Sequence, residues 1–236
     1  MFNKKKRKLK KQAKMPRTLI TISDNNSLIS EQFRTIRANI NFSMPGEELK
    51  TILITSPSPG EGKSTNAANI AVVFAQEGKR VLLVDADLRK PTLHYTFNLK
   101  NLTGLTHILV GKYFLFNVIQ ESPIAGLHLL PSGPIPPNPS ELLASSNMDN
   151  FLEEVKKKYD LIIFDAPPII SVSDSQILGN KCDGTLLVVN SGISEKKDFL
   201  KSEEILVASK ARIIGAVLNN YKMPKDHYQN YYAYSN

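Results

Sequence analysis

Residues 52–64 of this 236-residue chain read I-L-I-T-S-P-S-P-G-E-G-K-S, and that stretch limits the fold more than any other. An apolar run, a turn holding Gly60 and Gly62, and then Lys63 and Ser64 predict a buried strand, a phosphate-cradling loop and a helix start. A helix start offers unpaired backbone N–H groups and a favourable dipole, which suit the charges of a nucleoside triphosphate. The glycines let the backbone come close, Lys63 can reach the terminal phosphates, and the Ser64 hydroxyl can hold Mg²⁺. Candidate ATP ligands are therefore Pro59, Gly60, Glu61, Gly62, Lys63, Ser64 and Thr65. The full pattern has glycine where Pro57 stands, so the loop is a variant. The helix is predicted to run to about Gln76, with Gly78 as its stop.

Two further apolar runs end in carboxylates. Residues 81–89 read V-L-L-V-D-A-D-L-R, a buried strand whose C-terminal edge is where open α/β sheets place ligands. Alternation along an extended chain puts Asp85 and Asp87 on one side with Ala86 opposite, and Arg89 follows, placed to steady the segment or meet an incoming phosphate. Residues 160–165, D-L-I-I-F-D, form the third such strand, and Asp165 is expected to orient Mg²⁺ or its waters. More strands are predicted at 126–130, 184–189 and 213–218, and helices at 102–110, 115–120, from Glu141 onward and at 195–210. Between them the prolines of 131–139 force an extended loop that either lines the nucleotide base or connects two elements. Strands alternating with helices predict a single α/β domain, a P-loop NTPase-like parallel sheet with helices on both faces and right-handed crossovers.

Hydrophobic residues make up 42% of the chain and charged ones 22%, as in a soluble globular protein, and no uncharged apolar run is long enough to span a bilayer. A lone Cys182 and a basic start without a secretory apolar region point to a reducing cytoplasm. Lys4, Lys5, Lys6, Arg7, Lys8, Lys10, Lys11 and Lys14 concentrate the net charge of +8; removing these eight from 30 basic residues leaves 22 against 22 acidic ones. A neutral body with a basic arm argues against a DNA-binding domain. The arm, residues 1–14, is expected to be disordered and free to meet anionic lipid, nucleic acid or an acidic partner, a membrane surface being worth up to about 1 kcal/mol per charge. The folded domain is assigned to 15–220. Within it, residues 28–42 predict a helix with Leu28, Ile29, Phe33, Ile36 and Ile40 near one face. Glu31, Arg34 and Arg37 recur every three residues on that helix, suited equally to pairing within it and to a subunit interface. The last segment, 221–236, carries Tyr228, Tyr231, Tyr232 and Tyr234 among polar residues, too few aliphatic neighbours for a core of its own.

Four features together, S-P-S-P-G-E-G-K-S, V-L-L-V-D-A-D-L-R, L-I-I-F-D and the tyrosine cluster, resemble the bacterial tyrosine kinases. The likeness is to the cytoplasmic kinase subunit of Firmicutes capsule and exopolysaccharide systems, and it covers nearly the whole chain. Glu31, Arg34 and Arg37 match that family's E-x-x-R-x-x-R oligomerisation motif. The resemblance implies ATP- and Mg²⁺-dependent phosphorylation of protein tyrosines, including Tyr228, Tyr231, Tyr232 and Tyr234 of a neighbouring subunit in a ring. It also implies a transmembrane activator that completes the site and recruits the kinase to the inner face of the membrane. Lys63, Asp85, Asp87 and Asp165 are then the catalytic set, with Mg²⁺ held by Ser64, Asp85 and Asp165, and Asp85 placed ahead of Asp87 as the base. The rival reading is a partitioning or division-site ATPase of the same superfamily; those proteins place a second lysine where this chain has Ser58, and they lack a tyrosine tail.

Overall fold

Residues 19–222 are described by a computed structural model. In chain order the elements are α1 (Ile20–Ser23), α2 (Leu28–Phe42), β1 (Thr51–Thr55), α3 (Lys63–Gln76), β2 (Val81–Asp85), α4 (Leu93–Thr96) and α5 (Leu105–Leu109). They continue with a 3-10 turn (Leu115–Asn117), β3 (Gln120–Glu121), β4 (Leu127–Leu130), α6 (Pro139–Ala144), α7 (Ser146–Lys158), β5 (Leu161–Asp165), α8 (Asp174–Lys181), β6 (Gly184–Asn190), α9 (Lys196–Ala208) and β7 (Ile213–Asn219). Among the described residues the strands form one sheet in the order β3-β4-β2-β5-β1-β6-β7.

That order assembles the site. The chain leaves β1, crosses by α3 and enters β2 one place further on, and β5 later fills the gap, so β5 pairs in parallel with both. Asp85 therefore lies in register with Asp165, while Ile54, just before the loop, partners Asp165 from the other side. Three carboxyl edges, one of them continuing into the phosphate loop, meet at the same end of the sheet.

Side chains along the strands alternate between two cores. Ile52, Ile54, Val81, Leu83 and Ile163 pack under α2 and α3, and Leu53, Leu82, Val84, Ile162 and Phe164 pack under α5, α7 and α8. Every one of these ten is fully buried, at roughly 1.5–3 kcal/mol apiece relative to exposure. Helix α3 lies over the sheet centre with residues 66–75 all buried, so apolar and small residues surround it instead of forming a stripe. Ser27 caps α2 by accepting from Ser30 N at 3.2 Å, satisfying a donor left open at the helix start.

The expected helices at 28–42 and 63–76 have the predicted bounds, whereas three other elements differ. The helix expected over 102–110 begins only at Leu105, because Gly104 lies flat against the proline loop: a Cβ there would sit 2.0 Å from Pro131 O, and Leu105 N donates to that oxygen. The helix expected over 115–120 is a single 3-10 turn followed by β3, which pairs antiparallel with β4, so the sheet is not parallel at that edge. Pro139, at the first position of α6, starts that helix two residues before Glu141, where a missing N–H costs nothing. Among the described residues no helix is long and apolar enough to cross a membrane. The basic arm and the four clustered tyrosines lie outside the described residues.

Candidate active site

Between β1 and α3 the loop folds around its own polar groups. Ser56 Oγ donates to Ser58 O at 2.8 Å, and Ser58 N donates to Glu61 Oε1 at 3.0 Å. Asn219, the last residue of β7, donates from Nδ2 to Glu61 O at 2.9 Å and so ties the loop to the far strand. Gly60 and Gly62 adopt φ of 87° and 92°, the left-handed region that favours glycine, and Gly62 opens α3. Of the predicted ATP ligands, Pro59, Gly60, Gly62, Lys63, Ser64 and Thr65 line one cavity of about 910 Å³. Glu61 is the exception: its side chain turns inward, 1% exposed, and braces the loop. Burial raises the Glu61 pKa, against the lowering effect of the Ser194 hydroxyl and the Ser58 N–H.

The carboxylates converge on Lys63. Its Nζ lies 3.1 Å from Asp165 Oδ1, 3.2 Å from Asp87 Oδ2 and 3.3 Å from Ser64 Oγ. Burial alone would lower the Lys63 pKa, and the charges of Asp165 and Asp87 more than offset it, so the ammonium is held protonated. Asp87 uses its other oxygen to accept from Lys90 N at 2.9 Å, and it lines the cavity. Asp85 is fully buried: Oδ2 accepts from Thr92 N and Leu93 N, each at 2.9 Å, while Oδ1 is buried without a hydrogen-bond partner. Burial first, and then the charge of Asp165, push Asp85 up to about 7 from its ordinary 3.8.

That shift has a thermodynamic consequence. Between its ordinary 3.8 and about 7, Asp85 holds a proton in the folded chain and releases it in the unfolded one, so its contribution to stability is present below pH 3.8 and lost as pH rises through 7. Asp85→Asn keeps an oxygen to accept from Thr92 and Leu93 but cannot ionise. At pH 8 and without nucleotide the variant is expected to be more stable than the parent by about 2–4 kcal/mol, at about 1.4 kcal/mol per pKa unit. The difference should vanish towards pH 4. Thermal melts across pH check this, and a lower midpoint for the variant at pH 8 would contradict it.

Hard oxygen ligands suit Mg²⁺, which takes one or two carboxylates and completes its shell with water and phosphate. Ser64 Oγ, Asp165 and the orphaned Oδ1 of Asp85 supply that chemistry. Among the described residues no cluster of three or more His, Cys, Asp or Glu side chains forms a ready cage.

One support of the cavity lining has no sign in the sequence. Arg89 lines the cavity and is held from behind by Asp174, fully buried at the start of α8: Nε donates to Oδ2 and Nη2 to Oδ1, each at 2.9 Å. An aspartate in the first turn of a helix reads as an ordinary helix start, so nothing in the sequence linked Asp174 to Arg89, 85 positions earlier. The proline loop also reaches the cavity, through Gly133, Pro134 and Ile135. Glu31, Arg34 and Arg37 do not line it. Glu31 and Arg34 pair along α2, Arg34 also reaches Asn25 O at 2.7 Å, and Arg37 ties α2 to α3 by donating to Val73 O at 2.7 Å.

A family model described as an AAA domain matches residues 49–192. The tyrosine-protein kinase YwqD of Bacillus subtilis is 50% identical to the chain over 221 residues, covering 94% of this chain and 93% of its own length. The chain belongs to the bacterial tyrosine-protein kinases. The kinase domain of the Escherichia coli tyrosine kinase ETK overlays this kinase with a TM-score of 0.85 at 33% identity, covering 89% of this chain and 82% of the other. The cell division ATPase MinD of Pyrococcus furiosus shares the architecture less closely, with a TM-score of 0.63 at 25% identity, covering 77% of the kinase and 78% of its own chain. The fold is thus common to kinase and ATPase, and the greater likeness lies with the kinases.

Proposed function

We propose that this kinase transfers the γ-phosphate of ATP to protein tyrosines, foremost to Tyr228, Tyr231, Tyr232 and Tyr234 of a neighbouring copy. The observation that carries the reading is the convergence of Asp87 and Asp165 on Lys63, which lines the cavity together with the phosphate loop, with Asp85 buried in register beside Asp165. When nucleotide enters, Lys63 leaves Asp87 and Asp165 for the phosphates; Ser64 and Asp165, with Asp85 or its waters, would hold Mg²⁺, which would supply neutralisation of developing charge. The acceptor hydroxyl attacks the γ-phosphorus, the bond to the β–γ bridging oxygen breaks, and the hydroxyl proton passes to Asp85. A base near 7 is matched to that task at neutral pH, and Asp87, which lines the cavity and is released when Lys63 turns to the phosphates, is the second choice. Catalysis is otherwise positioning and charge stabilisation.

Two features favour transfer to tyrosine over simple hydrolysis. Ser58 stands where the rival ATPases carry a second lysine, and the last described residues follow directly on Asn219, which bonds to Glu61 of the phosphate loop. The residues after 222 have a contour length of about 45 Å when fully extended, a reach that supports transfer to a neighbouring copy. Changing the four tail tyrosines to Phe is expected to remove most autophosphorylation while phosphorylation of an added substrate continues. Phosphosite mapping by mass spectrometry tests this; label chiefly on Tyr95, Tyr113 or Tyr159 would contradict it.

Regulation of capsule or exopolysaccharide synthesis, a ring assembly and a transmembrane activator complete the proposal, with the kinase cytoplasmic and recruited to the membrane by that activator and by its basic arm. A groove between α2 and edge strand β7, with Ile29, Leu218 and Tyr221 exposed, supports a contact between copies beside Glu31 and Arg34. Arg34→Ala spares the α2–α3 tie made by Arg37 and is expected to shift the light-scattering mass toward the monomer; an unchanged mass would return Arg34 to a purely intrahelical role.

A further inference from the structure

The segment that follows Asp87 brings to the cavity positive charge that the transfer step does not use. Arg89 and Lys90 both line the cavity. Asp174 occupies the side-on edge of the Arg89 guanidinium, through Nε and Nη2, and fixes its plane. A guanidinium has a second bidentate edge, formed by Nη1 and the outer N–H of Nη2, and Asp174 does not engage it. The Arg89 side chain remains 38% exposed while Asp174 is fully buried, so the pair is anchored at one end and open at the other. Asp87, the acidic residue lining the cavity, spends one oxygen on Lys90 N, and the side-chain donors of this segment left to meet an anion are the outer edge of Arg89 and the ammonium of Lys90.

A cavity of about 910 Å³ lies near the upper end of the usual range for ligand sites, with room beyond a set of phosphates for part of an acceptor chain. We infer that Arg89, supported by Lys90, reads an anionic group, carboxylate or phosphate, within about three residues of the acceptor tyrosine. Asp174 is the residue that positions it. This rests on the kinase reading above and adds to it a substrate class: acceptor segments that are acidic or already phosphorylated. The kinase's own tail has both sources. Asp226 precedes Tyr228 by two positions, and Tyr231, Tyr232 and Tyr234 follow so closely that one phosphotyrosine lies one to three residues from the next acceptor. The first transfer would then make its neighbours better substrates.

Binding of peptides in which Phe replaces the acceptor tyrosine tests this without depending on turnover. Three fluorescein-labelled peptides, with neutral, glutamate or phosphotyrosine flanks, are titrated with the full chain in Mg-ADP and followed by anisotropy. The glutamate peptide, the phosphotyrosine peptide or both should bind about tenfold or more tightly than the neutral one, and the two arms say which anion is read. Arg89→Gln alone would strand the buried Asp174, so the ion pair is replaced as a whole by R89Q/D174N, with folding checked by thermal melt, and Lys90→Gln is measured beside it. In R89Q/D174N the ratio should fall to about one, and in R89K, which keeps the charge and loses the fork, to an intermediate value.

Equal binding of all three peptides by the parent chain, or a ratio that survives in R89Q/D174N, overturns the inference. So does a loss of Mg-ADP affinity in R89Q/D174N by the same factor, which would assign Arg89 to the nucleotide. Should R89Q/D174N not fold, K90Q and R89K decide: an unchanged ratio in both overturns it. An absence of phosphate transfer would refute the kinase reading alone, because these peptides cannot be phosphorylated.

Discussion

Lys63→Met is expected to reduce transfer of labelled γ-phosphate to tyrosine by about a thousandfold or more, the scale associated with removing a preorganised charge from a transition state. Methionine fills nearly the same volume and leaves the loop backbone in place, so the loss isolates the ammonium. The substitution acts on the resting molecule as well. Lys63 is the cation between Asp87 and Asp165, and its charge also bears on Asp85, so its removal leaves three enclosed carboxylates facing one another. Breaking one partner of a buried pair costs about 3–5 kcal/mol when the stranded charge has no alternative. Here protonation is the alternative, so the deficit should be largest near pH 8 and shrink towards pH 5. Undiminished labelling, or a pH-independent deficit, would contradict the placement of Lys63.

Gly62→Ala is expected to disable the site by a different route. Its φ of 92° is strained for any residue with a Cβ, at about 1–2 kcal/mol. An added Cβ would also lie 2.1 Å from Asn219 Nδ2. Asn219 must then move and release Glu61 O, leaving polar groups unpaired at about 1–3 kcal/mol. Together these lower the melting temperature by about 4–20 °C on the scale for domains of this size. ATP binding should weaken at least tenfold, because Gly62 caps α3 and the amides that follow it are displaced. Isothermal titration alongside a thermal melt reads both effects. Gly60→Ala is the internal comparison: it has the same backbone strain, but a Cβ there meets nothing within 4 Å, so its effect should be smaller. Equal losses in the two variants would remove Asn219 from the explanation.

The contrast between Gly60 and Gly62 shows what the sequence made legible and what it did not. Local patterns were legible: strand, loop and helix over 51–76 followed from apolar runs and glycines, and the three carboxylate-bearing strand ends followed from hydrophobic runs terminating in aspartate. Their meeting at one edge followed from parallel topology. Contacts between distant segments left no such trace. Nothing in a strand ending in Asn219 announces that its amide holds the loop 158 positions earlier. The same is true of Asp174 behind Arg89, and of Gly104 packed against Pro131, which cut short the helix expected from Leu102. The strand at Gln120–Glu121 was missed because two residues are too short for alternation to show, and its pairing with β4 depends on tertiary position. Glu61 was grouped with the phosphate ligands because its neighbours are, and only the folded loop shows its side chain bracing Ser58 from within.

In this kinase a fold shared with ATPases delivers phosphate to tyrosine. The fate of the γ-phosphate tests it most directly. The full chain, at a concentration that populates its assembly, is incubated with Mg²⁺ and γ-labelled ATP, and the label is partitioned between protein and free phosphate, followed by phosphoamino-acid analysis. Label is expected on the protein as phosphotyrosine, concentrated at residues 228–234 and absent in Lys63→Met. Label released only as inorganic phosphate, with none on tyrosine, would contradict it and return the molecule to the ATPases whose architecture it shares.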